Sequence, residues 1–116
     1  MYQDQGYEIL AKVFSCKDVK KLKNEMFVSA VARSVIERID GSVLTETHSR
    51  DVTGGVVAFC SGDSIQATIR TFPRKRSAFV NVMYCGSQHK PLIDAIKKVA
   101  FNLEAKSKTY SIMLRN

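Results

Sequence analysis

The chain holds no apolar run approaching the ~18 residues that a membrane span requires, and its opening, MYQDQGYEIL, lacks the basic-then-apolar order of a secretory signal. The expected setting is the cytoplasm, with no membrane partner. Cysteine is scarce: Cys16, Cys60 and Cys85 are odd in number and include no Cys-x-x-Cys spacing, which points to neither a disulfide framework nor a zinc site. They read as reduced thiols. His48 and His89 stand far apart without an acidic or cysteine partner at ligand spacing, so they read as polar surface residues and no metal is expected. A glycine-rich phosphate loop, a nucleophile elbow, an internal repeat and a linker are all missing. With 45% hydrophobic and 25% charged residues, a single domain over residues 1–116 with a modest core is the expected organisation.

Positive charge is what the chain has in excess, a net +7. Much of it is clustered in Lys17-Asp18-Val19-Lys20-Lys21-Leu22-Lys23 and Arg74-Lys75-Arg76. Such clusters suit phosphate or an acidic partner, and they equally suit a solvated face or loop tip. A nucleic-acid surface that works by stacking needs aromatic rings among its charges, and these clusters have none.

Hydrophobic periodicity reads as one alternating pattern. Between Tyr7 and Phe14, Tyr7, Ile9, Ala11 and Val13 alternate with Glu8, Leu10, Lys12 and Phe14, as in a strand covered on one face. Asn24 caps a helix whose Phe27, Val28, Val31, Val35, Ile36 and Ile39 form one stripe, stopped by Asp40-Gly41. Strands are expected near residues 42–48, 55–60, 65–71 and 78–84. Pro91 opens a second helix with Leu92, Ile93, Ile96, Val99, Ala100 and Leu103 inward, and residues 109–114 form a last strand. The order reads β-α-β-β-β-α-β. It predicts an α/β fold of the α+β two-layer kind, a mainly antiparallel sheet with two helices on one face.

The stretch GGVVAFCSGDSIQATIRTFPRKRSAFVNVMYCG, residues 54–86, carries two landmarks, Thr71-Phe72-Pro73 and Cys85-Gly86. Their identity and ungapped spacing resemble the core of the prokaryotic, pyruvoyl-dependent S-adenosylmethionine decarboxylases, whose chains carry Thr-Trp-Pro and Cys-Gly there. The likeness extends to the opening strand GYEILAKVFSC and to the helix after Gly86, and so covers nearly the whole chain. It implies the decarboxylase-like fold and a pocket for S-adenosylmethionine or a related sulfonium nucleoside. It also implies an oligomer, either a homodimer or a hetero-oligomer with a relative.

In that family a serine in a Glu-Ser-His turn becomes the pyruvoyl group, an electron sink for loss of carbon dioxide, and a cysteine protonates the product. By this resemblance Ser64 is the cofactor precursor, Asp63 stands before it in place of the glutamate, and Cys85 is the proton donor. Counting back from Thr71 without a gap instead places Ile65 on the family's serine, and Ser61-Gly62-Asp63-Ser64 is also ordinary hairpin-turn chemistry. The family's histidine before Thr-Trp-Pro is Arg70, its serine before the Gly-Val-Val run is Gly54 with Thr53 beside it, and its glutamate after Trp-Pro is Arg74. An arginine relays no protons at neutral pH, but it holds a carboxylate through paired donors.

Alternation along the strand places Gln66, Thr68 and Arg70 on one face. The expected substrate-binding set is Arg70 and Thr68, with Phe72 against adenine and Glu46 facing the same cleft. Self-cleavage is not expected, so a pyruvoyl group from Ser64 enters only if the chain processes itself. Four functions stay open: a protein that binds or consumes S-adenosylmethionine, including a lyase that breaks it without a cofactor; a silent homologue acting as a regulatory or host-directed binding protein; an active decarboxylase in polyamine synthesis; and, last, a basic nucleic-acid module.

Overall fold

A computed structural model describes residues 6–115. Residues 1–5, part of the opening read above for a signal, lie outside it.

Six strands form one antiparallel sheet: β1 (Gly6–Phe14), β2 (Thr45–Arg50), β3 (Val56–Ser61), β4 (Ile65–Phe72), β5 (Ser77–Tyr84) and β6 (Ser107–Arg115), in the spatial order β2-β3-β4-β5-β1-β6. Among the described residues three helices accompany them: α1 (Val19–Leu22), α2 (Glu25–Asp40) and α3 (Lys90–Asn102). The four strands expected between the two long helices are all present, one more than the order β-α-β-β-β-α-β counts. β2 begins three residues later than its periodicity suggests and runs to Arg50. α1 is a single turn that the basic run concealed, started by Asp18, whose carboxylate accepts the Lys20 N–H at 3.0 Å.

Local chemistry accounts for the long helices. The Asn24 side chain accepts the Phe27 N–H at 2.9 Å, and Gly41 ends α2 at φ 84°, a conformation that glycine adopts without a Cβ penalty. Pro91 sits in the first turn of α3, where its missing N–H costs nothing.

Both long helices pack on one face. The core joins Val28, Val35 and Ile36 of α2 and Leu92, Ile96 and Val99 of α3 to Ile9, Val13, Val56, Ala58, Ile69, Val80 and Val82 of the sheet. Each strand from β3 to β5 alternates buried and more accessible residues, which assigns one set to the helix layer and the other to the open face. No helix among the described residues is long and apolar enough to cross a membrane.

Candidate functional site

The sequence landmarks hold the sheet together. Thr71 is fully buried; its Oγ1 donates to the Leu22 carbonyl at 2.7 Å and accepts the Val56 N–H at 2.8 Å, tying β4 to α1 and to the start of β3. Pro73 is buried at the head of a 3-10 turn (Pro73–Lys75) that leads into β5. Gly55 admits no side chain, since a Cβ there would lie 2.4 Å from the Thr71 carbonyl oxygen. Thr53 is spent locally: its hydroxyl donates to Asp51 at 2.7 Å.

On the open face the register sets side chains in rows. One row runs Val57, Arg70, Phe79, Lys12, Thr109; the next runs Phe59, Thr68, Asn81, Leu10, Ser111. Between β4 and β6 these rows line a cavity of about 530 Å³, walled by Thr68, Arg70, Phe79, Asn81, Lys12 and Leu10 among others. That volume falls within the roughly 300–1,000 Å³ of small-molecule sites.

Arg70 and Thr68 therefore meet in one wall, as alternation along β4 requires. Arg70 is 49% exposed at its side chain, and its closest carboxylate, Asp51, stands 4.0 Å away, so its paired donors remain accessible. Asp51 is held below the usual carboxylate range chiefly by the Thr53 hydroxyl, with Arg70 a smaller contributor. Phe72 does not line the cavity. It packs edge-on to Phe79, with ring centroids 5.2 Å apart at 83°, and Phe79 is the ring that reaches the wall. Lys12 lies 5.3 Å from the Phe79 ring centre and 5.2 Å from that of Phe14.

Ser64 lies at the far end of β4. Its Oγ donates to Asp40 Oδ1 at 2.5 Å and its N–H donates to Asp40 Oδ2 at 2.9 Å, so the last residue of α2 holds both groups. Its carbonyl accepts the Cys85 N–H at 2.8 Å. The fold thus brings Ser64 and Cys85 together, with Cys85 exposed and Asp63 exposed in the turn beside them. Six residues of extended chain separate Ser64 from Arg70, roughly 20 Å at about 3.3 Å per residue. The residues assigned to chemistry and those assigned to binding occupy two places.

The S-adenosylmethionine decarboxylase family model matches residues 7–116. The chain belongs to this family. Among solved structures, the crystal structure of the adenosylmethionine decarboxylase from Aquifex aeolicus VF5 superposes with a TM-score of 0.82, covering 98% of this chain and 92% of that one at 18% identity. At that identity the likeness establishes the shared decarboxylase-like fold alone. No curated protein matches the chain. The family is pyruvoyl-dependent in general and binds S-adenosylmethionine.

Within this decarboxylase-family fold, Glu46 does not face the cleft of Arg70. It pairs across strands with Cys60, which points into the helix layer. Its carboxylate accepts from Ser29 Oγ at 2.9 Å and Arg33 Nε at 3.1 Å of α2. Arg33, then Ser29, hold its pKa below the usual range. Sequence alternation assigns a strand two faces but not the choice between them, and β2, an edge strand with little burial, carries no apolar set to decide it.

Glu8 escaped the sequence reading. It lies on the open face of β1, where it accepts from Asn81 Nδ2 at 2.8 Å and from Arg115 Nη2 and Nε at 2.8 and 3.0 Å. The Asn81 bond above all, and then Arg115, lower its pKa. With its amide donor engaged by Glu8, Asn81 leaves its carbonyl oxygen as the acceptor for anything in the cavity. Its signal was its place opposite Ile9 in the strand alternation, but its partners are 73 and 107 residues away.

Proposed function

We propose that this family member binds S-adenosylmethionine in the open-face cavity, with Arg70 pairing to the carboxylate, and handles it without a pyruvoyl group. The observation that carries this reading is the placement of Arg70 and Thr68 in the wall of a cavity of ligand size, on the face where the family builds its site. Phe79 supplies a ring for the purine, and the oxygen of Asn81 suits an amino group.

The surroundings of Ser64 support the second half. A serine that forms pyruvoyl attacks the carbonyl before it and needs donors for the resulting oxyanion. Here the hydroxyl is bonded to a carboxylate at the end of α2, on the helix-layer side, and the N–H of Ser64 is bonded to the same carboxylate. A negative charge beside the attacked carbonyl disfavours an oxyanion. A keto group made there would also stand roughly 20 Å along the strand from Arg70. The residues present do not fit the group.

The bound ligand carries its own leaving group, the sulfonium. If its carboxylate oxygen attacks its own γ-carbon, the C–S electron pair goes to sulfur; methylthioadenosine leaves and a butyrolactone forms, with no carbon dioxide and no cofactor. Orientation is then the protein's main contribution. The intact mass of the purified chain and the products formed from S-adenosylmethionine test the reading together. One full-length species releasing methylthioadenosine is the expected result; two fragments split before Ser64, abolished by Ser64→Ala and releasing carbon dioxide, would overturn it.

A second reading rests on the same face. Phe79, Leu10 and Met83 are 50%, 47% and 37% exposed there, an apolar patch of the kind that another protein covers. A second copy, or a relative, closing over it would also exclude water from the cavity. Sedimentation separates the cases, a strictly monomeric mass counting against a homodimer.

A further inference from the structure

We propose a second binding site, for an oligophosphate, at the end of the sheet opposite Ser64 and Cys85. There the chain leaves β1 through Cys16 and Lys17, the β4–β5 turn presents Lys75 and Arg76, and Lys106 precedes β6. Together with Phe14 they line a cavity of about 380 Å³. It shares no lining residue with the open-face cavity.

The charge pattern is the first argument. Lys17, Lys75, Arg76 and Lys106 converge on one concavity whose lining holds no acidic residue. Among the described residues none of the four is paired with a carboxylate, whereas Lys21, Arg33, Lys90 and Arg115 all are. Like charges so gathered repel, and an anion held among them offsets that repulsion.

Rigidity is the second argument. Backbone bonds tie the three segments together: Cys16 N–H to the Arg76 carbonyl at 2.9 Å, and Lys106 N–H to the Phe14 carbonyl at 3.0 Å. Arg76 Nη1 also donates to the Lys17 carbonyl at 3.1 Å. Ser15 and Arg76 both adopt left-handed backbone, at φ 55° and 50°, which few side chains tolerate without a fixing context. The Cys16 thiol is buried and its pKa raised by that burial, so it adds no negative charge to oppose an anion.

Four cations from three segments demand several anionic oxygens spread over one ligand. A chain of two or three phosphates presents this, either free or as the tail of a nucleotide. S-adenosylmethionine has no phosphate, so this site serves a different ligand and does not rest on the proposed substrate.

The test is calorimetry with tripolyphosphate and with ATP, each at 50 and 200 mM salt, on the native chain and on Lys75→Glu/Lys106→Glu. Both side chains are exposed, so the fold is retained, and a melting curve confirms it. The double variant should weaken both probes by roughly tenfold or more, because two charge-assisted contacts become repulsive. Lys97→Glu/Lys98→Glu, the same charge change on the exposed side of α3, should leave them nearly unchanged. Equal affinity for the probes assigns recognition to the phosphate chain alone; tighter ATP adds its nucleoside. Absence of saturable binding would overturn the proposal, as would an equal loss in the α3 variant. Tighter binding of a short oligonucleotide that depends on Lys20 and Lys23 would overturn it too.

Discussion

Replacing Arg70 by alanine probes the proposed site where its chemistry is most specific. A charge-assisted hydrogen bond contributes about 1.5–3 kcal/mol, and a guanidinium paired through two donors stands toward the upper end. Arg70 is half exposed, which screens the pair, and Asp51 at 4.0 Å competes only weakly for the same donors. The lower end applies, so Arg70→Ala should weaken S-adenosylmethionine by about tenfold, at about 1.4 kcal/mol per decade. Arg70→Lys should fall between, since it keeps the charge and loses the fork. The decisive comparison changes the ligand. Decarboxylated S-adenosylmethionine lacks the carboxylate and should bind Arg70→Ala about as well as it binds the native chain. Calorimetry with both ligands on both proteins closes this cycle, and an equal loss for the two ligands would refute the pairing of Arg70 with the carboxylate.

Other consequences concern the frame around the site. Thr71→Val keeps the side chain's shape but leaves the Val56 N–H and the Leu22 carbonyl buried without Oγ1; at about 1–3 kcal/mol for each group the melting temperature should fall by roughly 10 °C or more, with Thr71→Ser largely restoring it. The lowered pKa of Glu8 gives stability that is fully present above the ordinary carboxylate range and is lost as pH falls through the lowered value. Glu8→Gln should therefore flatten the acid limb of a melting-temperature profile, and an unchanged limb would show that the Glu8 network carries no such coupling. Cys85 is the exposed thiol, whereas burial raises Cys16 and pushes Cys60 up to about 11. A thiol reagent on the native protein should label Cys85 rapidly and the other two only on unfolding; rapid labelling of Cys60 would contradict its burial.

Much of the architecture was legible from local pattern. The Asn24 cap, the Asp40-Gly41 stop and the alternations in residues 7–14 and 65–71 are set by side-chain type at short range, and each element formed as those residues dictate. Landmark spacing brought the family within reach, because Thr71 serves buried contacts, to the Val56 N–H and the Leu22 carbonyl, that few replacements could make. Which face of an element turns inward, and which distant residues meet there, depends on packing between segments far apart in sequence. Thus β2, lacking an apolar set, sent Glu46 to Arg33 and Ser29 and not toward Arg70. The open-face rows that set Arg70, Phe79, Asn81 and Lys12 in one cavity wall and the Arg115–Glu8–Asn81 chain follow from strand register. Register is a tertiary quantity: it is fixed when the helix layer buries one face of every strand at once, and no single segment contains it.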